Sequence, residues 1–219
     1  MFGNFDTQVL IKNHALLLNG MLISLELTAI AAVFGMVIGC VLAFMRLSRL
    51  LVVAWIATAY VNLLRSVPLI LVIFWFYMLV PKVVGHPTGA FTSVMIAFVL
   101  FEAAYYCEIV RAGIAGIRRG QAQAGLALGF RPTQVMRYVI LPQAIRTMVP
   151  VLLSQVIVMF QDTSLVYIVG VRDFLTAAEV VADTNNRPLE LYTTVAVVFL
   201  AICLTASLLV ARLRPRTAR

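Results

Sequence analysis

Five apolar stretches divide this chain, at roughly 21–45, 53–80, 92–110, 147–171 and 191–210. Crossing a hydrocarbon core about 30 Å thick takes roughly 20 helical residues at 1.5 Å rise each, and every stretch suffices. Of 219 residues, 63% are hydrophobic and only 12% charged, where soluble chains carry about a quarter. No remaining segment is polar enough to fold as a separate soluble domain. The fold class expected is an all-α membrane protein of five transmembrane helices. Its organisation reads as an extracytoplasmic amphipathic lead (1–20), one membrane domain (21–212) with a loop at 112–146, and a basic cytoplasmic tail (213–219). The lead lacks a basic start and a small-residue cleavage site, so it does not read as a removable signal peptide.

The net charge of +8 is distributed by side of the membrane rather than gathered for nucleic acid. One side collects Arg46, Arg49, Arg111, Arg118, Arg119, Arg131, Arg137, Arg146, Arg212, Arg214, Arg216 and Arg219. The other holds Lys12, Lys82, Arg172 and Arg187. Positive loops stay inside, which predicts an outer N-terminus and an inner C-terminus. The bilayer is thus the first partner, and nucleic acid is not expected as one.

Several chemistries lack their residues. The only lysines, Lys12 and Lys82, do not follow a glycine, so no phosphate-cradling G-x-x-x-x-G-K-[ST] loop exists. His14 and His86 form no H-E-x-x-H, and there is no G-x-S-x-G elbow. Cys40, Cys107 and Cys203 have no metal or redox spacing and read as small packed hydrophobes. The chain reads as a non-enzyme with no catalytic or metal site, binding no cofactor itself; any ATP it uses must be hydrolysed by another chain.

Function should lie where polar residues interrupt the spans, because a charge at a helix centre costs roughly 2.5–3.5 kcal/mol on insertion scales. Glu26 is near enough to the outer end of the first span to reach headgroups. Glu108 and Arg111, three apart, are placed to pair on one face. Arg65, counted from Trp55, falls about 15 Å into the second span. Pro68 removes a donor and opposes the carbonyl of Leu64, predicting a kink or opening there. Arg65 then reads either as an anchor for a substrate carboxylate or as a structural pair with Asp162 or Glu102. In the fourth span Gln161, Asp162, Thr163 and Ser164 cover all sides of one turn, either lining a translocation pathway or bonding to neighbouring helices. Ala103 and Ala104 offer a surface for close helix contact.

The loop after the third span is too basic to lie in lipid. A short helix is expected over 121–128, ended by Gly129 in the left-handed C′ position. A second is expected over 132–141, opened by Pro132 and broken from the fourth span at Pro142. Leu126, Leu128 and Phe130 are apolar knobs beside Arg131. Such an elbow suits either a partner groove or the lipid interface.

The elbow also carries a resemblance. Gln123-Ala124-Gly125, Gly129 and Val139-Ile140-Leu141-Pro142 resemble the E-A-A-x₃-G-x₉-I-x-L-P loop of ABC importer permeases. Gln123 replaces the acidic residue, Gly125 the second alanine and Val139 an isoleucine. Arg65-Ser66-Val67-Pro68-Leu69, the run from Glu102 to Gly113, Leu141-Pro142-Gln143-Ala144 and Asp162-Thr163-Ser164-Leu165 resemble the five-span polar amino acid permeases, which include the histidine, glutamine and glutamate/aspartate systems. The resemblance runs from about Leu22 to Val210, and Arg46-Leu47-Ser48, the Tyr60–Pro68 stretch and the run from Phe160 to Tyr167 look closest to a permease subunit of glutamate/aspartate importers.

It implies a type I importer permease in a bacterial inner membrane. The implied partners are a second permease subunit, identical or different, a cytoplasmic ATPase dimer carrying ATP and Mg, an extracytoplasmic solute-binding protein and an amino acid substrate. It gives Gln123, Leu126, Leu128, Gly129, Phe130, Arg131, Leu141 and Pro142 to ATPase coupling. Arg65, Gln161, Asp162, Thr163 and Ser164 remain the substrate-pathway candidates, with Asp162 suited to a substrate ammonium or to neutralising Arg65. The rival classes are an ion-coupled transporter or channel using Glu26, Glu102 and Asp162, and a membrane scaffold without transport.

Overall fold

A computed structural model describes residues 7–48 and 50–213. The first six residues, Arg49 and the basic tail from Arg214 onward lie outside that range, and with them most of the tail expected at 213–219. Every regular element among the described residues is helical.

The first apolar stretch forms a longer helix than its hydropathy suggests. After a single turn, α1 (Gln8–Lys12), α2 runs from His14 to Arg46, 33 residues or about 50 Å. The helix starts seven residues before the apolar stretch because nothing there breaks it, so Glu26 sits three turns in and exposed, not one turn from the end. Small residues recur along one face: Gly20, Ser24, Thr28, Ala31, Gly35, Gly39 and Ala43 are all buried. At Gly35 and Gly39 this stripe lies against α5 (Ala90–Ala115), where Ala103 and Ala104 are buried as expected, while Gly20 and Ser24 face the segment 173–177. At Gly39 the approach is so close that a Cβ would stand 2.7 Å from Tyr106 Cβ and 2.9 Å from the Ala103 carbonyl oxygen. Successive contacts, Gly35 on Glu102 and Gly39 on Tyr106, advance together, so α2 and α5 run parallel.

The second stretch departs further from expectation. It divides into α3 (Leu51–Arg65) and α4 (Leu69–Val84), bent by 109° at Ser66–Pro68. Pro68 has no N–H to continue α3, and it caps α4 in extended backbone at ψ 137°. The predicted kink is therefore a corner, and rise along a straight span does not locate Arg65. The remaining helices long and apolar enough to cross a membrane are α2, α5, the run from Pro132 to Val169, and α10 (Pro188–Leu213); the bent pair is the fifth candidate.

The elbow comprises α6 (Arg119–Ala127) and the start of the next helix. Pro132 opens α7 (Pro132–Gln134), as predicted. Pro142 does not break it. Val135–Ile140 widens into a π turn and continues as α8 (Leu141–Asp162). A widened turn redirects the carbonyls that the proline ring would strike and that its missing N–H cannot serve. Gln143 reinforces the join: its Nε2 donates to the Val139 carbonyl at 2.7 Å and to Gln121 Oε1 on α6 at 3.3 Å.

After Asp162 the chain tightens into a 3₁₀ segment, Thr163–Val169. A helix that hydropathy did not reveal follows, α9 (Phe174–Asn185). Asp173 caps it, accepting from the Leu175 and Thr176 amides at 3.1 and 2.9 Å, and is itself fully buried. Burial pushes its carboxyl pKa up, against those hydrogen bonds. Its neighbour Phe174 donates its amide to Ser24 Oγ of α2 at 3.1 Å. Apolar packing forms one large cluster around α5 and a second where α9 meets α2 and α10. Cys107 and Cys203 are buried within the packed helices.

Candidate functional site: an arginine cluster, a polar turn and an exposed elbow

The three sequence-predicted regions occupy separate places. At the end of the bundle where α2 and α3 terminate, Glu108 of α5 gathers three arginines. It hydrogen-bonds Arg111 from its own helix, as the spacing predicted, and Arg46, the last residue of α2. Arg65, the last residue of α3, stands 3.8 Å from Glu108 Oε2. Neither Asp162 nor Glu102 is its ion-pair partner, so both partners named from the sequence are corrected to Glu108. The corner at Pro68 is the reason: it turns α4 away and leaves the end of α3 beside Glu108.

The Arg65 guanidinium also lies over the Tyr105 ring, 5.3 Å from its centroid. It lines a recess of about 440 Å³ together with Tyr105, Glu108, Gly113, Met148 and Val151. A recess of this size is within the range of small-molecule sites. Arg46 belongs to the cluster but was missed in the sequence, where it read only as a positive-inside charge. Its position as the last residue of an apolar helix, facing an acidic residue across a parallel pair, appears only once α2 is docked.

The polar turn is elsewhere, at the α-to-3₁₀ transition, and none of its residues lines that recess. The Thr163 hydroxyl donates to the Phe160 carbonyl at 2.7 Å and Ser164 to the Gln161 carbonyl at 2.8 Å. Two of the four residues thus spend their donors on backbone at a helix end, a use that a run of polar residues does not by itself reveal. Thr163 is buried, Asp162 and Ser164 are half-buried, and Gln161 is exposed. One helix away, Glu102 is fully buried and accepts from Gln155 Nε2 of α8 at 3.1 Å.

The elbow is built as its residues require. Gly129 has φ +84°, the left-handed region. The Phe130 amide bonds the Gly125 carbonyl at 3.2 Å, and the Gly129 amide the Leu126 carbonyl at 3.0 Å. These two bonds make a Schellman end, which satisfies the last carbonyls of α6. Gly125 is buried against Val135, and a Cβ there would meet Val135 Cγ2 at 3.0 Å. That contact accounts for glycine where the importer loop has alanine. Leu126, Leu128 and Phe130 are exposed, Leu128 by 78%, and Gln123, Arg131 and Pro142 are exposed with them; Leu141 is half-buried.

Residues 35–219 match the family described as the inner membrane component of binding-protein-dependent transport systems. The chain belongs to that family. It is 46% identical over 221 residues to the glutamate/aspartate import permease protein GltK of Escherichia coli O6:H1, covering 98% of this chain and 99% of that protein. It is 30% identical to the glutamine transport system permease protein GlnP of Escherichia coli K12, with 97% of each covered. Among solved structures, an amino acid ABC transporter crystallised with histidines superposes with a TM-score of 0.91 at 30% identity, over 97% of this chain and 99% of that one. The MetNI methionine ABC transporter shares the fold, with a TM-score of 0.76 at 22% identity. This importer permease is accordingly a multi-pass protein of the bacterial cytoplasmic membrane with the type I permease fold. It serves as the transport subunit of an ABC amino acid importer, not as the ATP-independent transporter or the scaffold.

Proposed function

We propose that this permease imports acidic amino acids, glutamate and aspartate, driven by a partner ATPase dimer that carries the ATP and Mg. The observation that carries the coupling half is the elbow: a rigid Schellman-capped turn presenting Leu126, Leu128 and Phe130 outward. Three exposed apolar side chains beside Arg131 suit a protein groove better than water. The positive-inside count supports placing that elbow in the cytoplasm and the N-terminus outside. The substrate half is supported by the likeness to the glutamate/aspartate permease and by Arg65, whose guanidinium faces an open recess. A second permease subunit would complete the pathway, and a solute-binding protein would deliver the amino acid from outside. Closure of the ATPase dimer would draw two elbows together and open the bundles outward, alternating access by rigid-body motion. Gln161 and Asp162 are the polar-turn residues best placed to meet solute, because Thr163 and Ser164 already donate to backbone.

Two measurements test this. A C-terminally tagged chain extracted in mild detergent should bring down a P-loop ATPase, identified by mass spectrometry. Recovery of the folded chain alone would overturn the coupling role. Arg65→Ala should abolish uptake of labelled glutamate while leaving that complex assembled, and normal uptake would remove Arg65 from the pathway.

A further inference from the structure

We infer that Glu108 is the resting counter-ion of Arg65, and that the recess between α5 and α8 takes a carboxylate of an acidic amino acid, which displaces Glu108 from Arg65. This deepens the proposed function and rests on its reading of Arg65.

The inference starts from unequal bonding within the cluster. A carboxylate offers about four lone-pair sites. Arg111 uses two through Nε and Nη2, and Arg46 a third. Arg65 is left at 3.8 Å, beyond hydrogen-bond reach, and among the described residues none of its five N–H donors makes a hydrogen bond. Its charge is held near Glu108 by Coulomb attraction and over Tyr105 by the ring, without directed bonds. The side chain is 38% exposed, against 13% for Arg46, so the loosely held arginine is the one the recess can reach. Arg65 and Glu108 line that recess, while Arg46 and Arg111 do not.

Charge then selects the ligand. Three guanidiniums against one carboxylate leave two positive charges uncompensated in a partly buried cluster. A neutral zwitterion leaves that excess unchanged, whereas an amino acid of net charge −1 reduces it, and the attraction grows where solvent is excluded. The planar fork of Arg65 matches a carboxylate bidentately, which its present geometry toward Glu108 does not allow. Gly113, Met148 and Val151 supply an apolar wall for the ligand's methylenes. Glu108 is in this account a positioning residue: it keeps Arg65 at the recess mouth when no solute is present, and competes with the solute for it.

The competition gives a result that a merely structural role would not. The test is equilibrium binding of radiolabelled L-glutamate to the assembled importer in nanodiscs, without its solute-binding protein, with L-glutamine as the neutral competitor. The wild type should bind saturably at millimolar concentrations or below, with glutamine competing poorly. R65Q should weaken binding about tenfold or more, the loss of charged hydrogen bonds. E108Q should tighten binding about threefold or more, because the internal competitor has lost its charge. E108D keeps the charge for Arg46 and Arg111 but withdraws one methylene from Arg65, so it should tighten binding to a smaller degree; it decides the matter if E108Q does not assemble. Absent wild-type binding overturns the recess as a site. Unchanged or weaker binding in assembled E108Q or E108D overturns the counter-ion role. If Arg65→Ala abolishes uptake while the Glu108 variants fail to tighten binding, this inference falls and the transport reading of Arg65 stands; normal uptake by Arg65→Ala removes both.

Discussion

Gly129 isolates one physical term in the coupling elbow. Its φ of +84° lies where an L side chain is strained, and no atom lies within 4 Å of a Cβ built there. A substitution therefore meets no steric obstacle from the rest of this chain, and its cost to the elbow's own fold is the backbone conformation. That cost is about 1–2 kcal/mol for a residue with a Cβ, less for asparagine, which tolerates the left-handed region, and more for a β-branched side chain. At stake are the two closing bonds, Phe130 N–H to the Gly125 carbonyl and Gly129 N–H to the Leu126 carbonyl. A penalty of 1–2 kcal/mol shifts the equilibrium between closed and open elbow by about 5- to 30-fold. Hydrogen exchange at the Phe130 amide of the assembled importer should accelerate by that factor in Gly129→Ala, by less in Gly129→Asn and by more in Gly129→Val. ATP-coupled uptake should fall in the same order, with Gly129→Val uncoupled or lacking its ATPase. Equal effects for asparagine and valine, or full coupled uptake by the valine variant, would refute the left-handed cap as the basis of elbow geometry.

Three other changes follow from close contacts and caps. Gly39→Val should destabilise the purified protein by about 1–3 kcal/mol, read as a lowered melting temperature in detergent, because its Cβ would enter the space of Tyr106 and the Ala103 carbonyl; an unchanged melt would mean that α2 and α5 separate freely. Gly125→Ala should loosen α6 from the π turn, with faster proteolysis in the elbow, and Val135→Ala should restore protection by vacating the 3.0 Å contact. Asp173→Ala should cost about 1 kcal/mol of stability through the lost cap of α9, and Asp173→Asn much less, measured by melting both; equal losses would assign the effect to charge instead.

Much of this molecule was legible before any coordinates. Apolar length determined that it lives in a membrane, because lipid gives unbonded backbone no alternative to a helix. Glycine and proline chemistry placed the end of α6 at Gly129 and the start of the next helix at Pro132, since those residues act through their own backbone. The Glu108–Arg111 pair was readable for the same reason, being three residues apart on one helix. Motif spacing over most of the chain identified the importer family.

Tertiary structure decided what depends on distant parts of the chain. Hydropathy does not state the angle at Pro68, and that angle moved Arg65 from an assumed mid-span depth to Glu108. Pro142 looked like a break, yet a π turn upstream absorbed it, and Gln143 ties that turn to Gln121 of α6 far back in the chain. The run at Gln161–Ser164 signalled polarity, but only the α-to-3₁₀ transition showed that two of its hydroxyls serve backbone carbonyls. Arg46 carried no pairwise signal at all. Its partner lies 62 residues away and was found by the docking of a small-residue stripe on α2 against α5. Local stereochemistry is written residue by residue, whereas the charge cluster exists only because the ends of α2 and α3 arrive together beside Glu108 of α5.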